Sequence, residues 1–133
     1  MKKEGEYKLD YVETTTSNYF YVKDINQFKK EIKEMGLAED FFEPNEDNKY
    51  CITCEGMNSY NNETEEEINE DDISELIRRN LRPDQKCFVS QIGQEGYRYF
   101  TASMWRIMPY RVTYYDLFNE KSNQYNNGKW IFE

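Results

Sequence analysis

A chain of 133 residues with a formal net charge of −9 and no histidine has the length of one domain around one core. The missing histidine removes the commonest general base, the Ser-His and Cys-His nucleophile pairs and most zinc hydrolase sites, so an enzyme is not expected. The acidic balance argues against direct nucleic-acid binding by the whole protein, because phosphate contacts need clustered Lys and Arg.

The predicted elements form one domain over residues 1–133. Residues 1–17, charged and then rich in Thr, read as a frayed arm or a short edge strand. Their start has Lys2 and Lys3 but no apolar run behind them, so no secretory signal is expected. The aromatic and β-branched run YFYVKD (19–24) reads as a strand. Asp24 then caps a helix, with Gln27 placed for a capping box. Ile25, Phe28, Ile32 and Met35 share one helical face, and Gly36 stops the helix in the left-handed conformation. Residues 38–48 read as a turn region with Phe41 and Phe42 folded back onto the core, and KYCITCEG (49–56) as the second strand.

Residues 57–70 read as an acidic loop, with Gly56–Asn62 a loop by composition. The run NNETEEEINEDDISE (61–75) holds eight acids in fifteen residues and no base. Asp72 with Glu75 suggests a capping box for a second helix, whose apolar face is Ile73, Leu76, Ile77 and Leu81. Acids at its start and Arg78, Arg79 and Arg82 at its end follow the helix dipole, and Pro83 ends it. Glu63, Glu65, Glu66, Glu67 and Glu70 exceed what a cap requires; Thr64 and Glu67 offer an alternative cap further upstream.

The remainder reads as β. KCFVSQI (86–92) and YRYFTASMWRIM (97–108) form a hairpin around GQEG (93–96). VTYYDLF (112–118) follows, then a loop NEKSNQYNNG and an optional last edge strand KWIFE. The expected class is α+β, a mainly antiparallel sheet with two helices on one face in the order β-α-β-α-β-β-β.

Charge is segregated along the chain. Residues 39–75 hold fourteen acids against Lys49 alone, whereas residues 78–133 carry a net charge of +4. Apolar content is 38%, but twelve Tyr and eight Phe supply large buried areas and leave rings for a surface. Cys51-x-x-Cys54 invites a metal or redox reading. Residues three apart on a strand point to opposite faces, and only Cys87 remains to complete a set, so core thiols, no metal and no cofactor are expected. Three cysteines and no secretory signal suggest a reducing cytoplasm. No phosphate-binding loop or membrane-spanning run is present.

Tyr97, Arg98, Tyr99, Trp105, Arg106 and Arg111, with Tyr110, interleave aromatics and arginines. They offer an alternative site, a stacking platform for RNA or a nucleotide, or else a Tyr-rich core with guanidiniums lying over exposed rings. Alternation places Tyr97, Tyr99 and Trp105 on one face and Arg98 and Arg106 on the other.

The segment KCFVSQIGQEGYRYFTASMWRI is similar to the C-terminal half of a loose group of small acidic proteins from phages and plasmids of low-GC Gram-positive bacteria. The shared pattern is a helix, a short strand, a Gly-x-Glu hairpin (Ile92–Gly93, Glu95), the Arg98–Tyr99 pair and a second strand. YFYVKDINQFKKEI and CEGMNSY fit the group's N-terminal half in outline. Gly96 stands where the group usually carries a basic residue. The resemblance brings no functional residues with it; it implies the context of a mobile-element accessory gene. In that context the composition suggests an inhibitor of the anti-CRISPR or anti-restriction kind, acting in the host cell cytoplasm. Its expected partner is the basic surface of a nucleic-acid-processing protein such as a CRISPR effector.

Glu63, Glu65, Glu66, Glu67, Glu70, Asp71 and Asp72, together with Glu39, Asp40, Glu43, Glu46 and Asp47, are the candidate docking residues. Tyr60, Tyr50, Phe41 or Phe42 would anchor the contact. A toxin-neutralising immunity protein uses the same chemistry against a different basic protein.

Overall fold

The computed structural model describes residues 11–95, 99–116, 123–126 and 129–132. In chain order the elements are β1 (Tyr11–Ser17), α1 (Ile25–Met35), β2 (Phe42–Pro44), β3 (Tyr50–Cys54), β4 (Ser59–Tyr60) and β5 (Glu67–Ile68). They continue with α2 (Glu70–Asn80), β6 (Cys87–Glu95), β7 (Tyr99–Met108), β8 (Arg111–Asp116), β9 (Asn123–Asn126) and β10 (Lys129–Phe132). A six-stranded sheet runs β2-β3-β1-β6-β7-β8, while β4-β5 and β9-β10 form separate two-stranded ribbons. Every described pair is antiparallel. The class is α+β, as the alternation of elements suggests.

Cross-strand register sorts the side chains. Val89 stands opposite Trp105, which stands opposite Tyr114; Cys87, Ile107 and Val112 form a parallel row. Cys87, Val89, Trp105, Ile107 and Val112 join Ile73, Leu76 and Ile77 of α2 in one buried cluster, with half-buried Tyr114 packed against it, so this face of the sheet is the helix side. The Phe28 ring of α1 packs 5.0 Å from Phe42 and 5.1 Å from Tyr50, placing α1 over β2 and β3, while α2 lies against β7 and β8. Trp105, Ile107 and Phe28 are the large side chains that let a Leu-poor sequence close a core.

Local sequence explains the helices and their ends. Asp24 accepts the Gln27 backbone N–H at 3.1 Å. The Gln27 side chain instead donates to Glu31 at 2.8 Å, so only half of the expected box forms. Gly36 adopts φ +82°, and the Gly36 and Leu37 amides donate to the Lys33 and Ile32 carbonyls, closing the helix as a left-handed residue allows. Phe28 and Ile32 are buried, as are Ile73, Leu76, Ile77 and Leu81 of the second apolar face.

Several expectations are corrected. Residues 11–17 are no arm or edge: β1 is an interior strand, bonded to β6 from Tyr11↔Glu95 to Ser17↔Val89 and to β3 on its other side. Its exposed Val12, Thr14 and Thr16 made it look marginal, but one face of an antiparallel sheet can stay open to water. Residues 1–10 lie outside the described residues.

YFYVKD makes two single bridges, Phe20↔Tyr50 and Val22↔Leu81, and no strand. The extended backbone crosses from the sheet to the end of α2, where Lys23 N–H donates to Asn80 O. The turn region at 38–48 contains a short edge strand, β2, in which Pro44 and exposed Glu43 are edge-compatible residues. α2 is capped by Asn69, not Asp72. The Asn69 side chain accepts Asp72 N–H at 3.0 Å, and the Asp72 carboxylate accepts Asn69 N–H at 3.2 Å. Glu75 belongs instead to an ion pair with Arg78.

Gly93–Glu95, expected as part of the hairpin turn, belong to β6. Gly93 and Glu95 still pair with Thr101 and Tyr99, while Gly96 lies outside the described residues. Asn123–Asn126, expected as loop, pairs with Lys129–Phe132; Phe118–Ser122 lies outside the described residues.

Candidate protein interface

The acidic segment is a folded ribbon held against the end of α1. Asn61 organises it: its Nδ2 donates to Met35 O at 3.0 Å, and its Oδ1 accepts from Glu63 N at 2.8 Å and Thr64 N at 2.9 Å. Backbone bonds from Asn61 N to Glu66 O, Glu65 N to Asn61 O and Asn62 N to Gly36 O complete the turn. Glu65 takes φ 63°, a left-handed conformation unusual for a non-glycine residue. β4 then pairs with β5, Ser59 opposite Ile68 and Tyr60 opposite Glu67. Ile68 is buried and roots the ribbon in the core, as does Met57 just before it. The loop expected over 57–70 is therefore two short strands around a hydrogen-bonded turn.

Glu63, Glu65, Glu66, Glu67, Asp71 and Asp72 are exposed and Glu70 half-buried. Tyr60, 63% exposed, stands directly across from Glu67, so the ribbon pairs an exposed aromatic ring with one of these acids. Burial raises the Glu70 carboxyl above the usual range, with Asp71, Glu67 and Glu13 adding repulsion. Asp71 is raised too, first by burial and then by Asp72.

Glu43, Glu46 and Asp47 are exposed but attach elsewhere. They belong to the β2–β3 hairpin, whose Tyr50 packs on Phe28 and whose Lys49 lies over Tyr21, near the start of α1. The ribbon is tied to the end of that helix, and eleven residues span about 16 Å. The acids contiguous in sequence form two groups at opposite ends of α1. Of the expected aromatic anchors, Phe41, Phe42 and Tyr50 are core residues and Tyr60 is exposed.

The aromatic and arginine set divides differently. Trp105 is buried on the helix side, its ring 5.0 Å from Tyr114, which removes it from any surface platform. Arg106 and Arg111 lie on the opposite face by register, Arg106 across from Thr113 and Arg111 across from Met108. Tyr97 and Arg98 lie outside the described residues, and Tyr99 is placed only as the strand partner of Glu95. Tyr110 is exposed in the β7–β8 turn.

Cys51 and Cys54 point to opposite faces, Cys51 opposite Glu43 and Cys54 opposite Thr15. All three thiols are free. Burial pushes the Cys87 thiol far above its ordinary range and raises Cys54 as well.

No protein-family model, curated protein or solved structure matches this chain. Among the described residues no group of His, Cys, Asp or Glu side chains has the arrangement of a metal site. No helix among them is long and apolar enough to cross a membrane.

Two features escaped the sequence reading. Asn61 and Asn69, polar residues in an acid-rich run, are the structural pivots of the ribbon and of α2. The exposed apolar residues Val12, Phe88 and Ile92 sit at alternate positions of β1 and β6; alternation alone does not say which face is covered.

Proposed function

We propose that this protein is a non-enzymatic inhibitor encoded by a mobile element, acting in the cytoplasm of the host cell. Its β4–β5 ribbon and the first turn of α2 dock on the Lys/Arg-lined, nucleic-acid-binding surface of a host defence nuclease, in the manner of an anti-CRISPR protein. The observation that carries this reading is the ribbon itself. Asn61 and the Gly36 carbonyl fix the backbone of the turn that carries Glu63, Glu65, Glu66 and Glu67, with exposed Tyr60 directly across from Glu67. A prearranged backbone lowers the conformational entropy lost on docking, and an exposed aromatic supplies the apolar contact that charge alone does not. Complementary charge steers the encounter and makes it sensitive to salt. Glu43, Glu46 and Asp47 extend the same acidic character to the other end of α1 as a rim.

The test is affinity capture from bacterial lysate at low and high salt. The parent is compared with the quadruple variant Glu63→Gln, Glu65→Gln, Glu66→Gln, Glu67→Gln and with Tyr60→Ala. The expected result is a nucleic-acid enzyme retained by the parent, released by salt and lost from both variants. A partner retained equally by parent and quadruple variant sinks the reading.

A further inference from the structure

Over β1, β6, β7 and β8 the face of the sheet away from the helices differs in charge from the rest of the molecule; among the described residues the acid of this face is Glu43, on the distant edge strand β2 opposite Cys51. On β1, β6, β7 and β8 the register places no Asp or Glu among the described side chains of this face, in a chain with 26 acids. Glu13 and Asp116 fall in the helix-side rows, with Thr15 and Tyr114 respectively. What this face does carry is Arg106 and Arg111, with Phe88 opposite Arg106 and Tyr115 two residues beyond Thr113. The two arginines and Tyr115 are half-buried, and Thr113, Ala102 and Met108 on the same face are buried. The Arg106 guanidinium lies 6.0 Å from the centre of the Tyr115 ring. Phe88 is 40% and Ile92 47% exposed. The Nε atoms of both arginines are buried and have no hydrogen-bond partner, and no ion pair joins either guanidinium to a carboxylate among the described residues.

Buried donors on a cation without an acceptor are costly to leave unmet. Elsewhere the described arginines find carboxylates: Arg78 has Glu75 and Arg79 has Glu31. The two that do not are diagonal neighbours on adjacent strands, roughly 7–8 Å apart at the backbone. That separation allows both to address one extended anionic chain.

We propose that this sheet face binds a short stretch of single-stranded nucleic acid at its exposed edge of side chains, its phosphates on the half-buried Arg106 and Arg111 and its bases stacked on Phe88 and Tyr115. Flat rings beside guanidiniums suit bases, which offer a π-face whatever their sequence. A duplex is disfavoured, since a flat sheet enters neither groove and two arginines neutralise too few phosphates. An acidic peptide would satisfy the arginines but leave the two rings without a stacking partner. The inference does not rest on the acidic ribbon, which lies at the end of α1.

The probe is a fluorescein-labelled oligo(U) of twelve nucleotides, read by anisotropy with the full chain across a salt series. Expected are saturable binding, a slope of log K against log salt of about −1.4 for two phosphates, and at least a tenfold loss in Arg106→Gln/Arg111→Gln and in Phe88→Ala. Thermal unfolding shows whether those variants are folded. Independently of any variant, crosslinking of parent protein to 4-thiouridine oligo(U) is expected in peptides containing Phe88 or Tyr115. The proposal is overturned by absence of saturable binding at low salt, by crosslinks confined to other peptides, or by binding that the folded arginine variant leaves unchanged. It is equally overturned if an oligo-glutamate peptide binds in an arginine-dependent way while oligo(U) does not.

Discussion

The carboxamide of Asn61 fills the space beside Gly36 that a Cβ would occupy, and from there it donates to the Met35 carbonyl. One glycine thus serves two purposes. It supplies the left-handed residue that ends α1, and it admits the side chain on which the acidic turn is built. Gly36→Ala meets both costs: left-handed backbone, about 1–2 kcal/mol for a non-glycine residue, and displacement of Asn61. The expected loss is about 2–4 kcal/mol in urea unfolding. Asn61→Ala should lose less stability but expose the ribbon amides to faster hydrogen exchange. Equal exchange in Asn61→Ala and parent would show that the ribbon is held by other means.

Glu31 ties the two helices together. It accepts from Gln27 at 2.8 Å, Arg79 at 3.0 Å and Asn80 at 3.1 Å. The Gln27 hydrogen bond, with those of Asn80 and Arg79, holds its carboxyl below the usual range against the opposing effect of burial. A lowered folded value means the contribution is complete above the unfolded carboxylate pKa and is lost as pH falls through the folded one. Glu31→Gln should therefore cost about 1–2 kcal/mol near neutrality, and the difference from parent should shrink on acidification. A gap that stays constant from neutral to acid pH contradicts this.

Glu70 works in the opposite direction. Burial raises its carboxyl, helped by Asp71, Glu67 and Glu13, so the folded protein holds the proton more tightly than the unfolded chain. Stability then falls as pH rises through the window between the unfolded and folded values. Glu70→Gln should raise the melting temperature near pH 7, and the gain should disappear at pH below the ordinary glutamate range. Destabilisation at neutral pH would mean that its interaction with the helix N-terminus outweighs the crowding of acids.

The cap of α2 separates two residues that look interchangeable in sequence. Asn69→Ala should cost about 1 kcal/mol, because Asn69 accepts the Asp72 amide. Glu75→Ala removes only a pair with Arg78 on the helix flank and should cost about 0.3–0.5 kcal/mol. Thermal unfolding of both variants orders them, and a reversed order would return the cap to Asp72 and Glu75.

Buried Cys87 should resist thiol reagents in the native state, since burial both excludes the reagent and disfavours the thiolate. Mass mapping after a brief native labelling pulse should find Cys87 unmodified until denaturant is added. Labelling of Cys87 as fast as that of an unfolded control would contradict its place in the core.

What the sequence determined by itself was what local physics decides. The spacing of Ile25, Phe28, Ile32 and Met35, the Asp24 cap and the Gly36 stop define α1 without any partner. Ile73, Leu76, Ile77 and Leu81 define the face of α2 in the same way, and the two helices among strand-like runs point to α+β. Alternation also separated Trp105 from Arg106. Partnership was decided only in three dimensions. The Thr-rich β1 became an interior strand because β3 and β6 flank it, whereas the more strand-like YFYVKD did not, because its neighbours offer two bridges and no ladder. A strand's propensity is carried in its own residues, but its hydrogen bonds belong to chains distant in sequence. The same holds for the acids: sequence places them in one block, and the tertiary structure divides them. One group lies on a ribbon bonded to the end of α1, and the other on a hairpin that packs on Phe28 in the first half of that helix.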